Sequence, residues 1–281
     1  MPTPTSIRPI ETLREQITKL EATITVCLAD PGTKAVHKLR TTTRRVEAML
    51  VLLDLLPDLP PHRNPEKKAR RSLRKLRQAA GNARDLDVQI SLIKEKSSAP
   101  TKNASDHLSS ILAEQRAQAE ADLAHVLNKH QARLTRALEA LLEALEPAKA
   151  RVLTATQLAA LAQGWFTNAL PRRIDPDDAD QLHTIRKHAK LTRYIAETAP
   201  KTARTPRKLA AAFESLQEAG GEWHDWLILS DIADNEFGDA PLTRAFRRQC
   251  KTALTRYRTH LRVIPRLNPA SPSTVSVHPS A

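Results

Sequence analysis

Two stretches of the chain set the same side chains at the same spacing. "VHKLRTTTRR" carries His37, then Arg40 and Arg44 three and seven positions on, with Arg45 alongside; "LHTIRKHAKLTRY" carries His183, Arg186 and Lys190 in the same register, followed by Arg193 and Tyr194. The two histidines are 146 residues apart. At roughly 100° per residue, His37, Arg40 and Arg44 fall within about 60° on one helix face, as do His183, Arg186 and Lys190. Such a stripe gathers hydrogen-bond donors and positive charge toward an anion. A guanidinium can grip a phosphate or carboxylate with two parallel bonds, and a protonated imidazole donates from both ring nitrogens. A solvated helix face mixes charge signs to gain i,i+4 pairs. These positions hold no acid, so an anion is expected to offset their repulsion.

The elements beneath are helices. Val36, Leu39, Val46, Leu50 and Leu53 form an apolar stripe beside the first basic stripe, and Leu182, Ile185, Ala189 and Ile195 do the same for the second. Helical periodicity runs over about 6–28, 33–55, 65–80, 83–96, 103–146, 155–170, 178–198, 204–219, 223–236 and 241–262. Breakers separate the segments: "DPG" at 30–32, "PDLPPHRNP" at 57–65, "SSAP" at 97–100, "EP" at 146–147 and "DPDD" at 175–178. The chain is rich in Ala, Leu, Arg and Glu, which are good helix formers, and no alternating strand pattern appears. The fold class is all-α.

The duplication extends further. "KKARRSLRKLRQAAGNARDLDVQI" (67–90) aligns with "RKLAAAFESLQEAGGEWHDWLILS" (207–230), placing Lys68 on Lys208, Leu73 on Phe213, Gly81 on Gly221 and Asp85 on Asp225. The glycines read as turns between shorter helices. The aspartates read as structural, either capping the next helix or orienting bases across a groove. Lys67, Arg70, Arg74 and Arg77 recur every three or four residues and add a third basic face. The predicted architecture is two pseudo-symmetric helical-bundle repeats, each burying its apolar faces against the other around a pseudo-twofold axis, one over about 6–150 and the other over about 151–264. A single domain over 1–265 is then followed by a Pro/Ser-rich tail, 266–281, with too little apolar surface to order itself.

Charge points to the class of partner. The formal net charge is +13. Lys and Arg outnumber Asp and Glu 16 to 7 over 31–96 and 15 to 9 over 181–262, but number 5 against 7 over 103–150. Two basic regions flanking an acidic spacer suggest a polyanion bound at a defined place. With only nine aromatics, Trp165 and Phe166 assigned to the core, and no nucleic-acid-binding signature, base stacking has little support. Nucleic acid is the second reading. No phosphate-binding loop, His-Glu-x-x-His or Cys-x-x-Cys motif is present. His183 and His188 point apart, and "DPDDAD" (175–180) is better used as a helix cap than as a cation site. Neither an enzyme, a metal nor a cofactor is expected. Cys27 and Cys250 sit within helical patterns and read as reduced thiols. The opening residues lack the apolar core of a secretory signal, and no run is long enough to span a bilayer, so a cytoplasmic location without membrane association is expected.

Four stretches, "VHKLRTTTRR", "GNARDLDV", "LHTIRKHAKLTRY" and "LQEAGGEWHD", in that order and with the internal duplication, resemble the signatures of the CHAD family, the conserved histidine α-helical domains. The resemblance covers roughly residues 6–262. It implies a two-lobed bundle of four-helix repeats around a basic channel that binds inorganic polyphosphate, in some members at polyphosphate granules. By position it assigns the channel lining to His37, Arg40, Arg44, His183, Arg186, Lys190 and Arg193, with Tyr194 closing the second motif. Arg45, Arg74, Arg77, Arg84 and Lys208 complete the expected polyphosphate site. Trp223 and His224 depart from the family's smaller or amide residues, and Glu47 stands where the second copy has Arg193. The two leading histidines are expected to make binding strengthen as pH falls.

Overall fold

Prolines and short polar turns set most of the helix ends. The structure, a computed structural model, describes residues 6–171 and 173–263, so the tail at 266–281 lies outside the described residues. Helix α1 (Pro9–Ala29) starts on a proline and stops at the Asp-Pro-Gly turn before α2 (Thr33–Asp54). The run "PDLPP" at 57–61 leads to α3 (Arg63–Lys96), which is followed by α4 (Lys102–Leu145), α5 (Ala155–Ala169), α6 (Ala179–Ala196), α7 (Arg204–Phe237) and α8 (Pro241–Val263). A two-residue strand, β1 (Ser6–Ile7), pairs antiparallel with β2 (Leu153–Thr154) and ties the segment before α1 to the entry of α5. The all-α reading stands, with this small bridge added.

Caps fix the second histidine helix in place. Thr154 Oγ1 accepts a bond from the Gln157 amide at 3.2 Å and starts α5. Asp178 accepts from the amides of Asp180 at 2.9 Å and Gln181 at 3.0 Å and starts α6. These contacts satisfy donors that a helix start otherwise leaves orphaned. The acidic run at 175–180 is therefore a cap. Cys27 and Cys250 are both free thiols.

The core forms two clusters of buried apolar side chains. One gathers α1, α2, the first part of α3, most of α4 and the inner face of α5. The other gathers α6, α7 and α8 with Ile93, Leu108 and Leu112 from the far end of the α3–α4 hairpin. Leu209 on α7 packs against both. Helices α3 and α7 are each 34 residues long, about 50 Å at 1.5 Å per residue. Helix α2 packs against α6 and α3 against α7, which brings the two histidine helices to a common face. Phe166 meets Phe213 at 4.6 Å within the second cluster, whereas Trp165, expected in the core, is half-buried and edge-on to His188 at 5.2 Å.

The glycine turns are absent. The segments expected at 65–80 and 83–96 are one helix, as are those at 204–219 and 223–236. Gly81, Gly220 and Gly221 lie inside these helices without positive φ. What the first two supply is space. A Cβ at Gly81 would lie 2.8 Å from Arg40 Nη1, and one at Gly220 would lie 2.8 Å from the Tyr257 ring. Tyr257 is fully buried, stacks on Trp223 at 5.7 Å and donates its hydroxyl proton to the Leu182 carbonyl at 2.9 Å, locking α8 to α6. With no new helix beginning after the glycines, Asp85 and Asp225 cap nothing. Both face the space between the histidine helices.

Two neighbouring substitutions separate these roles. Gly220→Ala must displace the Tyr257 ring and is expected to destabilise the fold by about 1–3 kcal/mol. Gly221→Ala meets nothing within 4 Å and should stabilise the helix by about 0.5–1 kcal/mol. Urea denaturation midpoints measure both effects; a turn at this site would give a loss for each.

Candidate functional site

The basic stripes meet at a cavity of about 500 Å³ between α2, α3, α6 and α7. Helix α2 contributes His37, Arg40, Thr41, Arg44 and Arg45; α6 contributes Arg186, Lys190, Arg193 and Tyr194. Arg84 and Asp85 come from α3, and Gln217, Glu218, Gly221, Glu222 and Asp225 from α7. Nine of the thirteen expected site residues thus line one space. The other four lie elsewhere. Arg74 and Lys208 are exposed away from it. Arg77 stands behind the wall, donating to Glu47 at 2.9 Å. His183 turns from the cavity onto His224, ring centroids 4.6 Å apart, with its Nδ1 buried and unpartnered.

The stripe positions themselves hold no acid, but their repulsion is not left wholly to an anion, because neighbouring turns and helices supply carboxylates. Glu47 takes both Arg44 (3.3 Å) and Arg77 (2.9 Å). Glu197 takes Arg45 and Arg193, each at 2.6 Å, and Glu214 takes Arg193 at 2.7 Å. Asp85 faces Arg40 at 3.3 Å. The Tyr194 ring lies under two guanidiniums, Arg45 at 5.3 Å and Arg193 at 5.8 Å from its centroid, so it serves as a platform for cations.

Arg84, Arg186 and Lys190 remain. Among the described residues none of the three is held in an ion pair, although all three line the cavity. The buried Nε of Arg186 has no hydrogen-bond partner. Burial, with Arg40, Arg186 and Arg44 close by, pushes the Lys190 ammonium down to about 7, against the pull of Asp225. Burial likewise lowers Arg186, which Asp225 partly offsets. His37 is lowered by burial and by Arg84, Lys190 and Arg40. The same causes act more strongly on the half-buried pair behind the wall: His183 falls to about 4 and His224 to about 3, each through burial first and then Arg186. In the opposite sense, burial raises the Asp225 carboxyl to about 6, helped by Asp85 and opposed by Arg186, Lys190 and Arg40.

Seven cations and four carboxylates line the space, which leaves three positive charges with His37 neutral and every other group ionised. What the arrangement can do chemically is accept an anion that completes the coordination of guanidinium and ammonium groups already gathered. Among the described residues no group of three or more His, Cys, Asp or Glu side chains is placed to hold a metal ion. Asp225 fits the second of its two sequence readings, facing bases across the groove, whereas Glu218 and Glu222 are lining residues that the sequence reading missed. Their signal was present in the i, i+4, i+7 spacing of Glu218, Glu222 and Asp225, an acidic stripe on one helix face.

A profile of the CHAD domain matches residues 11–234, and the chain belongs to that family. The crystal structure of the CHAD domain from the plant Ricinus communis superposes with a TM-score of 0.65 at 19% identity, over 92% of this chain and 93% of that one. PptA from Streptomyces chartreusis superposes with a TM-score of 0.60 at 16% identity, over 91% of this chain and 98% of that one. At such identities the likeness is one of fold. No curated relative matches the sequence. Among the described residues no helix is long and apolar enough to cross a membrane.

An unmatched buried cation should cost the ligand-free protein stability. Lys190→Met is therefore expected to stabilise the free protein at pH 7, read as a higher denaturation midpoint, while weakening anion binding at least tenfold.

Proposed function

We propose that the chain binds inorganic polyphosphate, without turning it over, in the cavity between α2, α3, α6 and α7. The observation that carries this reading is the set of cations left unpaired there, Arg84, Arg186 and Lys190. Natural proteins seldom keep buried charge unmatched, and an anionic chain would match all three. The matched cations, Arg40, Arg44, Arg45 and Arg193, would hold the wall and turn toward the ligand as their acids permit. In this reading the cavity is part of a channel between two halves, α1–α4 and α5–α8, related by a pseudo-twofold axis. The burial registers support that relation. Val36, Leu39, Thr43 and Val46 on α2 correspond at an offset of 146 to Leu182, Ile185, Ala189 and Thr192 on α6, and all eight are buried. Leu73, Leu76, Ala79 and Ala83 on α3 correspond at an offset of 140 to Phe213, Leu216, Ala219 and Trp223 on α7, again all buried.

Polyphosphate suits the site better than nucleic acid does. The cavity's one Phe, Tyr or Trp side chain is Tyr194, and two guanidiniums, Arg45 and Arg193, already lie over its ring and would compete with a stacking base. Binding without catalysis fits the carboxylates, because those near the floor, Asp85 and Asp225, lie beside cations that would compete with a metal ion. A cytoplasmic location and association with polyphosphate granules follow from this affinity as parts of the same proposal.

The proposal is tested by competing long-chain polyphosphate, orthophosphate, single-stranded DNA and duplex DNA for the purified protein at fixed salt. Polyphosphate should bind most tightly at equal phosphate concentration, and its affinity should fall steeply with salt as released counterions return. Arg186→Gln should weaken it at least tenfold, whereas the double substitution of Arg74 and Lys208 by Gln should change it less than twofold. Duplex DNA outcompeting polyphosphate would make nucleic acid the ligand.

A second expectation concerns pH. A bound polyanion raises the Lys190 ammonium above its free value of about 7, so binding takes up a proton above that pH. Affinity should then fall as pH rises from about 7 to 9, and Lys190→Arg, which keeps its charge, should flatten this fall. His183, already neutral and outside the cavity, should contribute nothing: His183→Gln should leave the pH profile in place.

A further inference from the structure

Asp225 is the anomalous group of the cavity. It sits on α7 among the cavity-lining residues, facing Arg40 of α2, Asp85 of α3, and Arg186 and Lys190 of α6. Its own helix adds Glu222, one turn before, and His224 beside it. Asp85 is occupied by Arg40 at 3.3 Å. Asp225, though surrounded by three cations, makes neither a hydrogen bond nor an ion pair with any described residue. Its charge reaches Arg186 and Lys190 only through space. A carboxylate with this placement does what a ligand phosphate would do, supplying negative charge to cations with no other partner. It also stands in the way, because a phosphate brought against Arg186 and Lys190 comes up against a second anion.

We propose that Asp225 is the resident counter-anion of the cavity: in the empty site it stands in for ligand charge, and a polyanion displaces that charge by driving Asp225 to take up a proton. The inference rests on the polyanion reading above and adds a residue and a coupling to it. Binding is linked to proton uptake at a carboxyl group on α7, with His183 outside the cavity. It also makes the site selective for charge. A ligand that delivers little charge leaves Asp225 ionised and gains little, while a chain that delivers several charges side by side neutralises it.

The sign follows from the surroundings. Burial and Asp85 already hold the free carboxyl at about 6. An incoming polyanion raises it further, so between about pH 6 and the bound value each binding event consumes a proton and affinity rises as pH falls. Lys190 acts in the same direction at higher pH and must be silenced. His37, lowered by burial and by Arg84, Lys190 and Arg40 in the same cavity, also acts in this direction, and its share cancels between proteins that differ only at Asp225.

The test therefore uses the full chain in a Lys190→Arg background, with and without Asp225→Asn, and long-chain polyphosphate as probe. Affinity is measured at pH 5 and 7.5, and proton uptake is measured calorimetrically at pH 7 in buffers of different ionisation enthalpy. In the Lys190→Arg protein, binding should take up protons and tighten toward pH 5. Adding Asp225→Asn should tighten binding about tenfold at pH 7.5, leave it nearly unchanged at pH 5, and remove most of the proton uptake. The same affinity at both pH values with and without Asp225→Asn, or weaker binding with undiminished proton uptake, overturns the inference while leaving polyphosphate as ligand. Failure of the wild-type chain to bind polyphosphate overturns the function itself. If Asp225→Asn does not fold, Asp85→Asn reads the same coupling: removing its charge frees Arg40 and lowers the Asp225 carboxyl, so affinity should rise and proton uptake should fall. Unchanged values in that variant would overturn the inference equally.

Discussion

The site rests on one electrostatic constraint: Arg186 and Lys190 are held on α6, partly withdrawn from water, with no acid paired to either. Two like charges about 4 Å apart repel by roughly 4 kcal/mol at the effective dielectric near a protein surface. The cavity gathers seven cations. A scaffold that keeps such groups together must offset the repulsion elsewhere, and here it does so by apolar packing. The buried stripes of α2 and α6 anchor the basic faces from behind, so neither helix can rotate its charges into solvent without exposing Leu39, Val46, Ile185 or Ala189, each fully buried. The Tyr257 hydroxyl, bonded to the Leu182 carbonyl, fixes the first turn of α6 from the other side.

The cations divide into two populations with different work. Arg44, Arg45, Arg77 and Arg193 are bound to Glu47, Glu197 and Glu214, acids at the cavity margin. These pairs set the shape of the wall, and Glu197 links the helices by holding Arg45 of α2 and Arg193 of α6 together. Arg84, Arg186 and Lys190 have no such partner among the described residues and, in the proposed function, are left to the ligand. Asp225 moderates the second population from within, and its raised carboxyl and the depressed Lys190 ammonium reflect the same crowded, poorly hydrated space. An α-helical frame is well suited to this division, since successive turns of one helix can present a cation, a carboxylate and a gap at fixed spacing. The gap is literal at Gly81, where only the absence of a side chain lets the Arg40 guanidinium lie against α3.

Much of this was legible in the residues. The spacing of His37, Arg40 and Arg44 against His183, Arg186 and Lys190 carries the pairing of α2 with α6, because helical periodicity and the apolar stripes leave those faces one orientation. The family and the all-α class were legible for the same reason. Four things were not. A glycine in a helix and a glycine in a turn look alike in one dimension, and only the approach of Arg40 and Tyr257 shows why Gly81 and Gly220 interrupt nothing. The acids that match the stripes lie on other turns or other helices, so Glu197 and Asp85 could not be seen from the stripe itself. His183 leads its motif as His37 does, yet it lies against His224 of α7, a departure from the family pattern, and not among the cavity-lining residues. Arg74 and Lys208 fall on basic faces that the packing leaves outward, a distinction that charge periodicity alone does not make.

The account turns on whether Lys190 is an enclosed, unmatched cation awaiting an anion. The most direct measurement is an NMR titration of its side chain, following the Lys190 ammonium in the free protein and in the presence of saturating polyphosphate. The account predicts a midpoint near 7 without ligand and a clear upward displacement, toward the ordinary lysine value of about 10.4, with polyphosphate bound. A midpoint near the ordinary value in the free protein, or one that polyphosphate does not move, would contradict it.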